Sequence, residues 1–159
     1  MTKILFKEKQ KFTQWWLWLL LIGIGLIPLV GIYSQFILGE EFGDNPMSNK
    51  GLIIFSIFIY LIIYLFYSIK LKTVISTDEI YFKFTPFLSQ KVKKDDISSL
   101  EIVNYGFVGG WGIRYGSKFG TVYNIGGNKG LAIKLKNGKK FLIGTQKNKE
   151  LERIVKEFF

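Results

Sequence analysis

Apolar and polar positions divide the chain into stretches with different periodicities. From Trp15 to Leu38, and again from Gly51 to Ile69, no charged residue interrupts the apolar run. Each run is long enough to cross the hydrocarbon core of a bilayer, which takes about 20 residues as a helix. Residues 1–14 set Lys3, Lys7, Lys9 and Lys11 against Glu8 alone and read as a short basic leader. Gly39–Lys50 holds Glu40, Glu41, Asp44 and the turn-forming pair Asn45-Pro46, so it returns the chain between the runs. The pattern predicts a leader (1–14), a two-helix hairpin (15–69, spans about 15–38 and 51–69) and one domain over 70–159.

A basic leader before an apolar run also describes a secretory signal. This run is longer than the roughly 7–15 residues of a signal core, and no small-residue cleavage site follows, so it is read as a retained span. Trp15, Trp16 and Trp18 stand at its start, where indoles favour the headgroup region. Pro28, among Gly23, Gly25 and Gly31, predicts a kink near residues 24–28. It is read as packed against the second helix, with a hinge or binding notch as the alternative. Ser56, Tyr60, Tyr64 and Tyr67 share one helical face. That face is expected to pack on the glycine-bearing side of the first span, with hydroxyls bonded across the pair; the alternative is a ligand path.

From Leu71 onward the period changes to two. Thr73–Ser76 is β-rich. Ile80, Phe82 and Phe84 alternate with Tyr81 and Lys83, and Pro86 ends that strand. Lys91–Lys93 and Ser99–Val103 follow as strands on either side of a turn at Asp95-Asp96-Ile97. Tyr105–Gly127 is dense in glycine and aromatics, with strand pieces at Gly112–Tyr115 and Thr121–Ile125 joined by a loop at Gly116–Gly120. Leu131–Lys136 alternates, Asn137-Gly138 is a preferred hairpin turn, and Lys139–Gly144 returns. Leu151, Ile154, Val155 and Phe158 mark one face of a terminal helix, with Thr145 or Asn148 as its cap.

Short strands closed by one C-terminal amphipathic helix give an order that resembles the pleckstrin-homology fold. It is similar to the bacterial membrane-associated pleckstrin-homology-like proteins, in which one or two transmembrane helices precede such a domain. The resemblance is carried by Thr77-Asp78-Glu79-Ile80-Tyr81, Lys93-Lys94-Asp95-Asp96-Ile97, Gly112-Ile113-Arg114, Gly130–Leu135 and Ile143-Gly144-Thr145-Gln146. The fold it implies is a membrane α-helical hairpin plus an α+β, mainly-β domain. That domain would be a seven-stranded, meander-like bent sheet or partly open barrel capped by the helix. The resemblance implies membrane association and a binding or scaffolding role, with no catalytic activity.

Charge then fixes an orientation and narrows the chemistry. The net charge of +10 is distributed as +3 on the leader, −2 on the loop and +9 on the tail. The positive-inside rule places both termini in the cytoplasm of a multi-pass protein of the inner (plasma) membrane, with the loop outside. Scarce alanine beside abundant Lys, Ile and Phe hints at a bacterial source. No Asp, Glu, Lys or Arg lies within either span, which speaks against an intramembrane proton relay. The chain has neither cysteine nor histidine, which removes Cys/His metal sites and Ser-His or Cys-His nucleophile pairs within one chain. No carboxylate pair is set by the sequence in an apolar pocket. No enzyme activity and no cofactor are expected.

Binding candidates remain. Gly126–Gly130 matches no phosphate-loop pattern and reads as a turn. Lys134, Lys136, Lys139 and Lys140 surround the Asn137 hairpin, and the Leu131–Lys136 alternation turns its lysines outward. Trp111, within a glycine cluster, and Arg114 complete the candidate set. Expected partners are the lipid bilayer and either anionic phospholipids or another membrane protein; without a basic-aromatic recognition motif, nucleic acid is not expected. A lysine-protected sheet edge is the structural alternative.

Overall fold

The structure is a computed structural model that describes residues 3–158. The chain divides into two compact units: the helical segment Thr13–Ser68, and a sheet domain joining the chain up to Phe12 with that from Ile69 onward.

In the helical unit, α1 spans Trp15–Ile32 and widens into π-helical turns at Tyr33–Leu38. Gly39, in the left-handed conformation (φ 72°), ends it. Helix α2 runs Asn49–Ser68, its first turn capped by the Ser48 hydroxyl, which accepts the Gly51 N–H at 3.2 Å. With the π-helical turns included, the first stretch is 24 residues long at mean hydropathy 2.2, and α2 is 20 residues at 2.3. Both are long and apolar enough to cross a membrane.

α1 runs through Pro28 without a break and buries Leu21, Gly25, Pro28 and Gly31, a stripe at spacings of four, three and three. α2 buries Leu52 and Ser56. Glycine permits the close approach: a Cβ on Gly25 would stand 3.0 Å from Ile63 Cδ1. One hydroxyl of the expected face does bond across the pair, Tyr60 donating to the Gly25 carbonyl at 2.9 Å. Ser56 instead bonds within its own helix, to the Leu52 carbonyl at 2.6 Å. Tyr64 and Tyr67 are exposed, the latter meeting Trp18 edge-on with ring centroids 6.5 Å apart.

The sheet domain begins before the helices. Residues Ile4–Lys11, expected to be a separate leader, form strand β1, which pairs antiparallel with β2 (Lys70–Ser76) from Ile4↔Ser76 to Lys11↔Lys70. Met1 and Thr2 of that leader lie outside the described residues. β1 alternates as a half-buried strand should: Phe6, Glu8 and Gln10 are buried, while Lys7, Lys9 and Lys11 are exposed. The polar pair bonds to the far end of the chain, with Gln10 Oε1 alone left without a partner among the described residues. Glu8 accepts from the Thr145 hydroxyl (2.7 Å) and the Gln146 N–H (2.8 Å), and Gln10 Nε2 donates to the Gly144 carbonyl (2.7 Å).

β3 (Glu79–Thr85) and β4 (Leu88–Lys93) complete a four-stranded sheet in the order β1-β2-β3-β4. Ile80, Phe82 and Phe84 point inward, as their alternation predicts. The turn expected at Asp78-Glu79 is one residue earlier, since Glu79 opens β3 and bridges to Lys91 at 3.5 Å.

A second sheet holds β5 (Ile97–Asn104), β6 (Gly112–Ser117), β7 (Gly120–Asn124), β8 (Lys129–Leu135) and β9 (Lys140–Gly144), in the order β5-β8-β9-β7-β6. This differs from the seven-stranded meander of the sequence reading. Nine strands are present among the described residues, and β7 runs parallel to β9, not beside its sequence neighbour β8. The domain is an α+β structure of two mostly antiparallel sheets, not a closed barrel.

The inner faces of the sheets meet through aromatics. Phe82 stacks on Phe141 (centroids 5.5 Å apart) and tilts against Tyr123 (4.9 Å). Helix α3 (Asn148–Phe158) buries Leu151 and Phe158. At its start the Thr145 hydroxyl, already donating to Glu8, accepts the Lys147 N–H at 3.0 Å.

Because β1 belongs to this core, Phe6→Ala is expected to destabilise the domain by about 3–5 kcal/mol. Denaturant unfolding of the full chain, followed by domain aromatic fluorescence, measures it. A midpoint equal to that of the parent chain would return residues 4–11 to the status of a leader.

Candidate functional site

The lysine candidates separate once strand register is known. On β8, Leu131, Ile133 and Leu135 are buried and Lys134 is exposed. Lys134 lies directly opposite Lys140 of β9, and Ser99 of β5 pairs with Lys134 from the other side. Two like charges opposite each other on a sheet are unfavourable unless an anion or water separates them. Lys134 and Lys140 line an open groove of about 300 Å³, with Ser99, Glu101, Ala132 and Lys118. Among the described residues these three lysines make no ion pair, and Glu101 is the one carboxylate in the lining.

Lys118 is absent from the sequence candidates, and topology brings it here. It lies in the turn from β6 to β7, where the Ser117 hydroxyl donates to the Gly120 carbonyl (2.8 Å) and accepts the Phe119 N–H (3.2 Å). Gly120 has φ 80°, and a Cβ there would run into the Lys140 carbonyl, so only glycine lets this turn lie across β9. The parallel β7–β9 pairing, Thr121↔Phe141, fixes the same proximity. Ser117-Lys118-Phe119-Gly120 is legible as a turn, but nothing local in it names β9 as its neighbour.

Lys136 and Lys139 are exposed around the Asn137 turn and do not line the groove. Their backbones are committed: Lys136 N–H donates to the Asp96 carbonyl (2.9 Å), and Lys139 N–H to Asn137 Oδ1 (3.1 Å). Trp111 and Arg114 are half-buried and also lie outside the groove lining. Arg114 Nη2 donates to the Trp111 carbonyl at 2.8 Å, pinning the glycine-rich loop to β6. The placement gives Arg114 a structural contact within its own loop.

That loop is held from beneath by a polar cluster. The buried Tyr105 hydroxyl donates to the Gly127 carbonyl (2.9 Å) and accepts from Asn124 Nδ2 (3.2 Å). Burial pushes the Tyr105 hydroxyl above its ordinary value of 10.0, and the Asn124 amide partly offsets this by stabilising the phenolate. Tyr123 is raised as well, by burial first and by Tyr115 second. Above this cluster the loop turns Phe107 outward, 89% exposed, near Tyr115 of β6, 79% exposed. Phe107, Tyr115, Lys118 and Phe119 line a second open groove of about 460 Å³, which shares Lys118 and Phe119 with the first.

No family model, curated protein or solved structure matches this chain. The chemistry of the site therefore rests on its own residues: three lysines outside any ion pair among the described residues, beside exposed aromatics.

Tyrosine burial gives the domain an alkaline limit. Above the ordinary value of 10.0 the unfolded chain releases its phenolic protons while folded Tyr105 keeps its own. Stability is thus full below that value and falls as pH rises toward the folded one. Tyr105→Phe is expected to make the fall shallower, with Tyr123 supplying the remainder. Urea midpoints measured from neutral pH to above 10.0 check this, and an unchanged slope would contradict it.

Proposed function

We propose that the chain is a membrane-anchored interaction module. Its two helices span the inner membrane, and its sheet domain, of a pleckstrin-homology-like kind, is held at the cytoplasmic face to engage a membrane-bound partner. One observation carries this reading: the helical segment exposes large apolar side chains all round and is inserted between two paired strands of a lysine-rich domain. Leu19, Ile22, Leu29, Ile54, Phe58 and Leu61 are each more than half exposed. Contiguous apolar surface on this scale is unfavourable in water and favourable in a bilayer. Tethering confines the domain to a thin layer at the membrane and raises its effective concentration toward partners there. The reading is one of binding, and it assigns no reaction.

A second reading, recognition of anionic lipid headgroups, is favoured by the groove of Lys118, Lys134 and Lys140. Basic residues near an anionic leaflet contribute about 1 kcal/mol each.

The anchor is tested by topology. The chain has no cysteine, so Lys9→Cys, Glu41→Cys and Lys149→Cys each introduce a single label at an exposed position. With a membrane-impermeant thiol reagent on intact bacterial cells, the thiol at position 41 is expected to react at once. Those at positions 9 and 149 are expected to react only after permeabilisation. Reaction of all three from one side would sink the two-span reading. The reverse pattern would invert the orientation.

A further inference from the structure

We infer that the β6–β7 end of the domain is a docking face for an anionic bilayer surface, with Phe107 and Tyr115 as its inserting side chains and Lys118, Lys134 and Lys140 as its headgroup contacts. The inference rests on the reading of the helices as an anchor.

Three features of the molecule converge on this face. Phe107 and Tyr115 are among the most exposed large side chains of the domain, yet the loop and strand carrying them are fixed. Arg114 holds the Trp111 carbonyl, Asn104 Oδ1 accepts the Gly106 N–H at 3.0 Å, and Tyr105 is buried on Gly127 and Asn124. Exposed aromatics on a fixed support insert with little ordering cost. Next, the aromatic groove and the lysine groove are continuous through Lys118 and Phe119. Lys118 Nζ sits 5.0 Å from the Phe119 ring centre, so charge and ring lie side by side on the shared edge. Aromatic rings at headgroup depth flanked by lysines match the interfacial zone of a membrane.

The third feature is charge. Lys134 and Lys140 oppose each other in register without an ion pair among the described residues, and Glu101 is the one acid lining the grooves. Such a face complements an anionic surface and repels a basic one. A bilayer is favoured over a protein partner because it satisfies a broad, shallow, open surface without requiring a shaped counterpart. It is also the surface beside which the anchor holds the domain.

Trp111, a sequence candidate for lipid or partner binding, is half-buried in the same loop, with its backbone carbonyl held by Arg114. Phe107, four residues earlier, is the more exposed ring of that loop.

The test uses the full-length chain in nanodiscs of phosphatidylcholine with or without phosphatidylglycerol. Single-cysteine variants Phe107→Cys, Tyr115→Cys, Glu152→Cys and Phe58→Cys carry a polarity-sensitive fluorophore. Quenching is read from lipids bearing a nitroxide at the headgroup or deep in the acyl chain. In anionic discs the labels at 107 and 115 are expected to be quenched by the headgroup nitroxide several-fold more than the label at 152. The excess is expected to vanish in discs lacking phosphatidylglycerol, at high salt, and in the Lys118→Glu/Lys134→Glu/Lys140→Glu background. Equal quenching at 107, 115 and 152 in anionic discs, with the label at 58 quenched by the deep nitroxide, would falsify the docking face and leave the anchor standing. No quenching at 58 removes the anchor itself, and the docking face with it. An excess at 107 and 115 that persists without anionic lipid overturns the assigned role of the lysines.

Discussion

The pairing of β1 with β2 is the constraint on which the rest of this molecule depends. Lys11 lies opposite Lys70, and between them the chain makes its whole helical excursion. A segment that leaves a sheet at one position and re-enters at the neighbouring strand has both ends fixed a strand spacing apart, about 5 Å. An even number of membrane crossings meets that requirement and an odd number does not. Two helices, each long and apolar enough to cross a membrane, are compatible with that requirement.

Much of this architecture is legible in the residue pattern, and the failures have identifiable causes. Ile80-Tyr81-Phe82-Lys83-Phe84 and Leu131–Lys136 alternate cleanly because their inward positions are filled by apolar side chains, and those positions are buried as read. β1 escapes the same reading because two of its three inward residues are Glu8 and Gln10. Their burial is made tolerable by Thr145, Gln146 and Gly144, which stand more than 130 positions away. A hydrophilic stretch whose partners are that distant carries no local sign of being a strand. The parallel β7–β9 pair is hidden for a related reason. Hairpin chemistry announces neighbours in sequence, as Asn137-Gly138 does, whereas parallel pairing is set by the whole sheet.

The candidate site is legible to a similar degree. Outward-facing lysines on β8 follow from alternation, so Lys134 and Lys140 emerge from the pattern alone. Their separation from Lys136 and Lys139, and the arrival of Lys118, follow only from register. Gly120 shows why the sequence could not supply this. Its left-handed backbone and its contact with the Lys140 carbonyl are the structural reason for a glycine there, yet any tight turn admits one. Trp111 and Arg114 illustrate the opposite case: they are conspicuous in the sequence, and the structure employs Arg114 to hold the Trp111 carbonyl.

Membership of β1 in the domain also changes what the charge distribution means. The leader's +3 and the tail's +9 belong to one folded unit, and the −2 belongs to the loop between the helices. Read as separate segments, the positive charges would serve mainly to orient the spans. Gathered on one domain, they make a body with strong self-repulsion, which opposes compaction unless counter-charge is close. Lysines face one another across strands at several rows, Lys134 and Lys140 in the second sheet and Lys9, Lys72 and Lys83 in the first. On the reading proposed above, an anionic membrane surface would supply that counter-charge, and anchor and basic face would act as one device: apolar helices suited to a bilayer, and a charged domain suited to its surface.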